Sequence, residues 1–152
     1  PAPSQDDVQP LPYLQQDRSA CNLDIQLDVS ITPEKGQATQ VSTSNFKYMY
    51  WSMAQQLAHH SINGCLIQAG DTMASGTISG KDKGSYGSML ELSWNGTEPI
   101  AMKGGGQRSF IEDGDTVTMT GHAEKAGLRI GFGEVSAKLL PAQPWNDLTT
   151  KK

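Results

Sequence analysis

The sequence contains few cysteines, no strongly basic cluster and no long apolar run. Its two cysteines, Cys21 and Cys65, form neither a CxxC pair nor the ligand spacing of a zinc site. We therefore expect two reduced, structural thiols, as is usual in intracellular proteins. The formal net charge is -4, and no Lys/Arg run is longer than Lys151–Lys152, which argues against a nucleic-acid binder.

The start of the chain lacks the charged, apolar and small-residue order of a signal peptide, and no segment has the length of a membrane span. We expect neither secretion nor a membrane partner. The chain begins at Pro1 rather than Met, and residues 1–12 are rich in Pro, Gln and Asp. These residues are predicted to be a linker or loop, as at the start of a fragment of a longer protein.

The 152 residues suffice for one compact domain, predicted over residues 13–142, with a C-terminal tail over 143–152. Apolar and polar residues alternate from Asn22 to Ile31, which is typical of a half-buried strand. A turn over Pro33–Gly36 and a second strand over Ala38–Ser42 would complete a hairpin.

One long helix is predicted from Ser44 to about Ile62. Ser44 can accept from an orphan amide as N-cap, and Asn63–Gly64 can end the helix. Between them the apolar residues fall on one helical stripe, namely Phe46, Met49, Tyr50, Met53 and Leu57.

The second half of the chain is predicted to be rich in strands. Asn95–Gly96 is a strong two-residue hairpin signal, because both residues tolerate positive φ. The hairpin would join strands over Ser88–Trp94 and Glu98–Met102. Further strands are predicted over Asp71–Ser79, Thr116–Thr120, Leu128–Phe132 and Val135–Leu140.

Two segments are candidate site elements. Gly76–Gly80 places two hydroxyls between glycines, so a ligand can approach the backbone, although ordinary turns share this composition. Glu91 is a carboxylate within an apolar run. It is either an exposed residue on the polar face of a strand or a carboxylate at a cleft that orients a general base.

Four other motifs favour structural interpretations. His59 and His60 point about 100° apart on a helix, so one is expected to be packed and the other exposed. Asn95–Gly96–Thr97 matches a glycosylation site but is better explained as a turn. Gly104–Gly106 lacks the Lys of a phosphate loop and is expected to connect strands. Asp113–Asp115 is expected to be a solvated turn.

Taken together and in order, the motifs resemble the fumarylacetoacetase family from roughly Leu11 to Pro141. Shorter relatives that hydrate, isomerise or decarboxylate related acids share only a looser glycine–aspartate framework. The resemblance is carried by Ser44–Trp51, Gln55–Leu57, His59–Ser61, Asn63–Cys65, Gly70–Asp71, Ala74–Gly80, Gly87–Trp94, Asp113–Asp115 and Arg129–Gly133.

The resemblance implies an α+β, mainly β fold, a mixed β-roll or sandwich with one long helix. It also implies metal-dependent hydrolysis of a carbon–carbon bond in a 1,3-diketo acid, fumarylacetoacetate, to fumarate and acetoacetate. This reaction is the last step of tyrosine and phenylalanine catabolism. The family's enzyme is a cytoplasmic homodimer that uses Mg²⁺ or Ca²⁺.

By the same resemblance, Glu91 matches the carboxylate that orients a water-activating His, and Thr77 matches a substrate contact. The family's His, its carboxylate metal ligands and its other substrate contacts lie upstream of the matching region. No residue of this chain is therefore predicted to bind the metal, and the isolated chain is expected to be inactive. A missing N-terminal part or a partner chain would supply the rest.

Two other functions remain open on the sequence alone. The chain could be another metal-dependent member of the superfamily, such as a hydratase, isomerase or decarboxylase. It could also be a non-catalytic fragment that contributes only to dimerisation or folding. Metal ligands in an upstream stretch of a parent chain would favour an enzyme, and their absence would favour the non-catalytic fragment.

Overall fold

The computed structural model describes residues 8–17 and 22–144. Cys21, most of the predicted linker and all but the first two residues of the predicted tail lie outside the described residues. Cys65 is an exposed free thiol. No helix within the described part of the chain is long and apolar enough to cross a membrane.

The described residues form six strands, two α-helices and three short 3-10 helices at Pro12–Leu14, Phe46–Tyr48 and Lys83–Ser85. The α-helices are α1 (Met53–Ser61) and α2 (Met89–Leu92). The strands are β1 (Gln26–Thr32), β2 (Thr39–Asn45), β3 (Ile100–Ala101), β4 (Gln107–Arg108), β5 (Thr116–Lys125) and β6 (Leu128–Lys138). They form a four-stranded sheet in the order β2–β1–β5–β6 and a two-stranded sheet of β3 and β4, with every pair antiparallel. The predicted α+β, mainly β class is confirmed.

The predicted hairpin at the start of the domain is confirmed. β1 and β2 pair antiparallel, and their turn closes through a hydrogen bond from the Gly36 amide to the Pro33 carbonyl of 2.9 Å. Val29 pairs with Ser42 and Ser30 with Gln40, so Val41 is the extra residue of a β-bulge. A bulge bends a strand and changes where its side chains point. Here it leaves Val41, Ser42 and Ser44 all buried.

The predicted helix over 44–62 is wrong in its first half. Ser44 lies in β2 and pairs with Leu27, so it cannot cap a helix. A short 3-10 helix at Phe46–Tyr48 follows, and α1 starts only after Ser52. Ser52 and Gln55 form a reciprocal capping box, with N···O distances of 3.1 and 3.0 Å. Strand pairing and this stronger cap outweigh the apolar stripe.

Two predicted strands and one predicted hairpin are also wrong. Asp71–Ser79 contains no regular strand, and Ser88–Trp94 contains α2, capped by Ser88. Trp94, Asn95 and Gly96 all have positive φ, but they end this helix instead of joining two strands. The hairpin at this point in the chain is β3–β4, which turns through Gly104–Gly106 as a strand connection.

The last two strands form a long hairpin in which β5 extends beyond its predicted end. The predicted strands over Leu128–Phe132 and Val135–Leu140 are one continuous strand, β6, with a register shift opposite Thr120–His122. All residues of β6 are exposed. The buried core lies beside β1 and β2, at the other end of the sheet. Its residues are Ile31, Val41, Leu92 and Met102.

Candidate active-site cleft

A cleft of about 570 Å³ opens beside the core, next to β2 and α2. Three stretches of the chain line it. They are the aromatic residues 48–51 after β2, the irregular residues 77–79, and Ser88, Leu90 and Glu91 around α2. The structure therefore brings both predicted site residues, Glu91 and Thr77, to one cleft, although they are separated in sequence and only one of them lies in a helix.

Residues 77–86 are held against the sheet by two serines of β2. The Ser44 hydroxyl donates to the Ile78 carbonyl over 2.8 Å, and the Ser42 hydroxyl donates to the Tyr86 carbonyl over 2.7 Å. Both serines are buried, and they lie directly after the bulge at Val41. These bonds give defined partners to the backbone of a segment that is irregular except for a short 3-10 helix at Lys83–Ser85.

Glu91 is half-buried, and its carboxylate accepts hydrogen bonds from two hydroxyls. Ser79 Oγ lies 2.8 Å from Oε1 and 2.9 Å from Oε2, and Ser88 Oγ lies 2.7 Å from Oε2. Ser88 also accepts from the Glu91 amide over 3.3 Å. Glu91 is therefore neither on a strand nor a freely solvated surface residue.

Thr77 is exposed and lies close to the loop that precedes α2. A side chain added at Gly87 would place its Cβ 2.6 Å from Thr77 Cγ2 and 2.7 Å from the Ile78 carbonyl oxygen. Real Cβ atoms do not approach this closely, so a residue with a side chain at position 87 would push the two loops apart. Glycine at this position is what allows Thr77 and Glu91 to share one cleft.

The neighbouring histidines His59 and His60 do not take the predicted packed and exposed positions, because both are exposed. His59 nevertheless stacks on Tyr13, with 6.2 Å between ring centroids and 2.9 Å between Nδ1 and the phenol oxygen. His60 lines a separate shallow pocket with Asp71 and Thr72. Neither histidine lines the cleft that contains Glu91.

Asp115 is the feature that sequence reasoning missed. It was expected in a solvated turn, but it is 0% exposed and accepts from Arg108 Nε and Nη2 over 2.8 and 2.9 Å. The Glu112 amide donates a third bond. The Arg108 hydrogen bonds hold the pKa of Asp115 below its ordinary value, against the opposing effect of burial. Asp115 raises the pKa of Arg108 in return.

Residues 4–139 match the family model described as fumarylacetoacetate (FAA) hydrolase C-terminal. The chain belongs to this family. It is 53% identical to the fumarylacetoacetase of Bos taurus over 137 residues, 90% of this chain and 32% of that protein. It is 52% identical to the fumarylacetoacetase of Homo sapiens over 143 residues, which are 93% of this chain and 34% of that protein.

The plant relative is more distant but matches over the same extent. The fumarylacetoacetase of Arabidopsis thaliana is 44% identical over 144 residues, 94% of this chain and 34% of that protein. The chain thus spans about a third of the length of the curated relatives that it matches.

The described residues of this member of the fumarylacetoacetate hydrolase C-terminal family were compared with the ligand needs of a hard divalent ion. Within residues 8–17 and 22–144, no group of three or more His, Cys, Asp or Glu side chains lies close enough to hold a metal. The Glu91 carboxylate is bound by two serines and that of Asp115 by Arg108. Ca²⁺ takes six or more oxygen ligands, so the described residues do not fit such an ion.

Proposed function

We propose that this chain forms one wall of the active site of a fumarylacetoacetase. That enzyme would hydrolyse the carbon–carbon bond of fumarylacetoacetate to give fumarate and acetoacetate. The observation that carries the proposal is the cleft, in which a hydroxyl-bound carboxylate, Glu91, and the exposed hydroxyl of Thr77 lie together. Family membership and the names of the relatives give the reaction class.

In this proposal Glu91 orients a general base. The two serine hydroxyls donate to the carboxylate, so the carboxylate acts as an acceptor with defined geometry. An acceptor of this kind can take the N–H of an imidazole and stabilise the positive charge that the imidazole gains when it removes a proton from water. Thr77 would donate or accept a hydrogen bond with the substrate.

The remaining parts of the site would come from outside this chain. Hydrolysis by the mechanism proposed here needs a water-activating His, and none of the three histidines, His59, His60 and His122, lines the cleft. We expect Mg²⁺ and/or Ca²⁺ as the metal cofactor, bound mainly by residues of an upstream part or of a partner chain.

An interface with further protein is part of the same proposal. β6 exposes Leu128, Ile130, Phe132 and Val135 along one edge of the sheet. Large exposed apolar groups of this kind mark surfaces that bind other protein. Together with the relatives' greater length, they support an upstream segment or a second subunit here, in a cytoplasmic homodimer of the type that the family resemblance implies.

A non-catalytic fragment is the main alternative function. It is favoured by one observation, the lack of a metal-binding group among the described residues. In that case the chain would contribute to folding or dimerisation, and Glu91 would be a structural acceptor that joins α2 to the 77–79 loop.

Replacing Glu91 with Gln in the full-length enzyme tests the proposal. The amide keeps the size of the side chain but presents a donor where the base needs an acceptor. We expect kcat to fall on the order of 10²-fold while KM changes little, because acid–base catalysis contributes about this much. Glu124→Gln, on the exposed part of β5, is the matched control. A near-normal kcat for Glu91→Gln would favour the structural alternative.

The isolated chain should neither hydrolyse fumarylacetoacetate nor bind a divalent ion tightly. Calorimetry with Mg²⁺ and Ca²⁺ measures the binding, and loss of diketo-acid absorbance measures the turnover. Micromolar metal binding or turnover by this chain alone would mean that the complete site lies within it.

A further inference from the structure

We propose that Ser79 is a positioning residue that sets the orientation of the Glu91 carboxylate in the cleft. The inference rests on the proposed role of Glu91. Ser79 is separated from Glu91 by twelve positions, yet its hydroxyl lies 2.8 Å from one carboxylate oxygen and 2.9 Å from the other. Rotation of the carboxylate out of its present plane would lengthen at least one of these contacts.

The direction of the Ser79 hydroxyl is determined by a third group. The Gly87 amide donates to Ser79 Oγ over 3.0 Å, so this oxygen already accepts a hydrogen bond. The single hydroxyl proton of Ser79 is then free to point at Glu91, where both oxygens are within reach. Ser79 is therefore a donor to the carboxylate, and the carboxylate is the acceptor.

The hydrogen bonds of Ser79 with Gly87 and Glu91 connect the loop that carries Thr77, the proposed substrate contact, to the Glu91 carboxylate. Ser79 lies two residues after Thr77, and Gly87 lies just before α2, which carries Glu91. A Cβ at Gly87 would lie 2.6 Å from Thr77 Cγ2, so the two stretches are in close contact. The Ser79 hydroxyl thus fixes the carboxylate relative to the loop that would contact the substrate.

Ser88 donates to Glu91 as well, but a Ser88 substitution would not separate carboxylate positioning from helix capping. Its oxygen caps α2 by accepting from the Glu91 amide, so removing it would disturb the helix along with the carboxylate. Ser79 belongs to no helix or strand. Replacing Ser79 therefore removes the contact with less direct disturbance of α2.

The test uses Ser79→Ala in the full-length enzyme, with fumarylacetoacetate as the substrate. We expect kcat to fall about 10-fold with KM nearly unchanged, because orientation supplies only part of the roughly 10²-fold contribution of acid–base catalysis. Ser79→Thr keeps the hydroxyl and should recover most of the activity. Ser75→Ala, in the same exposed loop but without contact to Glu91, should retain wild-type kcat.

A double-mutant cycle with Glu91→Gln separates positioning from a general structural effect. If Ser79 acts through Glu91, adding Ser79→Ala to Glu91→Gln should lower kcat by less than about 2-fold, since coupled residues are not additive. An equal loss in both backgrounds, or a wild-type kcat for Ser79→Ala alone, would overturn the inference. Should Ser79→Ala fail to fold, Ser79→Cys offers a weaker donor of similar shape, and its kcat should lie between those of the wild type and Glu91→Gln. Unchanged kcat for Ser79→Cys would then overturn the inference.

The outcomes also distinguish this inference from the proposed function. A wild-type kcat for Glu91→Gln would remove both, because Ser79 would have nothing to position. A large loss for Glu91→Gln with no loss for Ser79→Ala would leave the proposed function intact and remove only the role of Ser79.

Discussion

The two ends of the four-stranded sheet, the β1–β2 side and the β5–β6 side, differ in how far other segments of the chain cover them. On the β1–β2 side, Ile31 is 1% exposed and packs with Val41, Leu92 and Met102. On the β5–β6 side, Ile130 is 66% exposed although it also lies in a long antiparallel strand. The same residue type in the same kind of strand is a core residue in one place and a surface residue in the other.

Contacts between residues distant in sequence cover the β1–β2 side. Ser42 and Ser44 bind the backbone of residues 78–86, and α2 then contributes Leu92 to the core. This same packing forms the cleft with Glu91. No described segment covers β6 in this way. The difference agrees with the proposal that further protein covers β6, whereas the cleft wall is formed by contacts within the described residues.

Replacing Asp115, the residue just before β5, with Ala should cause the largest loss of stability among these substitutions. The substitution removes the buried carboxylate partner of Arg108, which is mostly buried, and leaves it only the exposed Glu112. Breaking a buried pair in this way costs about 3–5 kcal/mol. Urea denaturation measures the free energy of unfolding, and Glu112→Ala is the control. Glu112 is an exposed partner of the same Arg108, so its loss should cost at most about 1 kcal/mol. Similar losses for both variants would contradict a special role for the buried pair.

Matched isoleucine substitutions compare the two sides directly. Ile31→Ala creates a cavity in the core and should destabilise the chain by about 2–5 kcal/mol. Ile130→Ala removes an exposed side chain and should cost no more than about 1 kcal/mol, the span of strand propensities.

Repeating both substitutions in the full-length protein sharpens this comparison. If an upstream segment or second subunit covers β6, the cost of Ile130→Ala should rise toward that of Ile31→Ala. An equally small cost in both proteins would show that β6 stays exposed.

Acid should weaken the fold through the buried pair of Asp115 and Arg108. Its pKa is lowered in the folded protein, mainly by the Arg108 hydrogen bonds, from an ordinary value of 3.8. A lowered pKa gives stability that is fully present above the unfolded value and is lost as the pH falls through the folded value. Unfolding free energies measured from pH 6 downward should therefore decline below about pH 4. Asp115→Asn should reduce this decline, and an unchanged pH dependence would contradict the assignment to Asp115.

Local patterns predicted the parts of the fold that depend on neighbouring residues. The alternation of β1 and the turn at Pro33–Gly36 are local, and the hairpin was found. The helix start at Ser44 failed because Ser44 is engaged by Leu27 and Ile78, which are distant in sequence. The composition of Asp113–Asp115 does not indicate that Asp115 is buried, since a solvated turn has the same composition.

The candidate site shows the same limit. Alternation placed Glu91 on a strand, whereas the Ser88 cap and the positive φ values after Leu92 make the segment a helix. The roles of Glu91 and Thr77 were inferred only from the family resemblance. Their shared cleft depends on the contact at Gly87, which spacing along the chain does not reveal.

Thr77→Val should have the smallest of these effects and probes the cleft without altering its shape. Valine keeps the branched side chain and removes the hydroxyl. A hydrogen bond to substrate is worth roughly 0.5–1.5 kcal/mol, so kcat/KM of the full-length enzyme should fall roughly 2- to 10-fold with stability unchanged. Thr120→Val, on the exposed part of β5, provides the matched control and should leave kcat/KM unaltered. Unchanged kinetics for Thr77→Val would remove the Thr77 hydroxyl from the proposed site. The cleft would then contribute to catalysis through Glu91 and through backbone groups of residues 77–79.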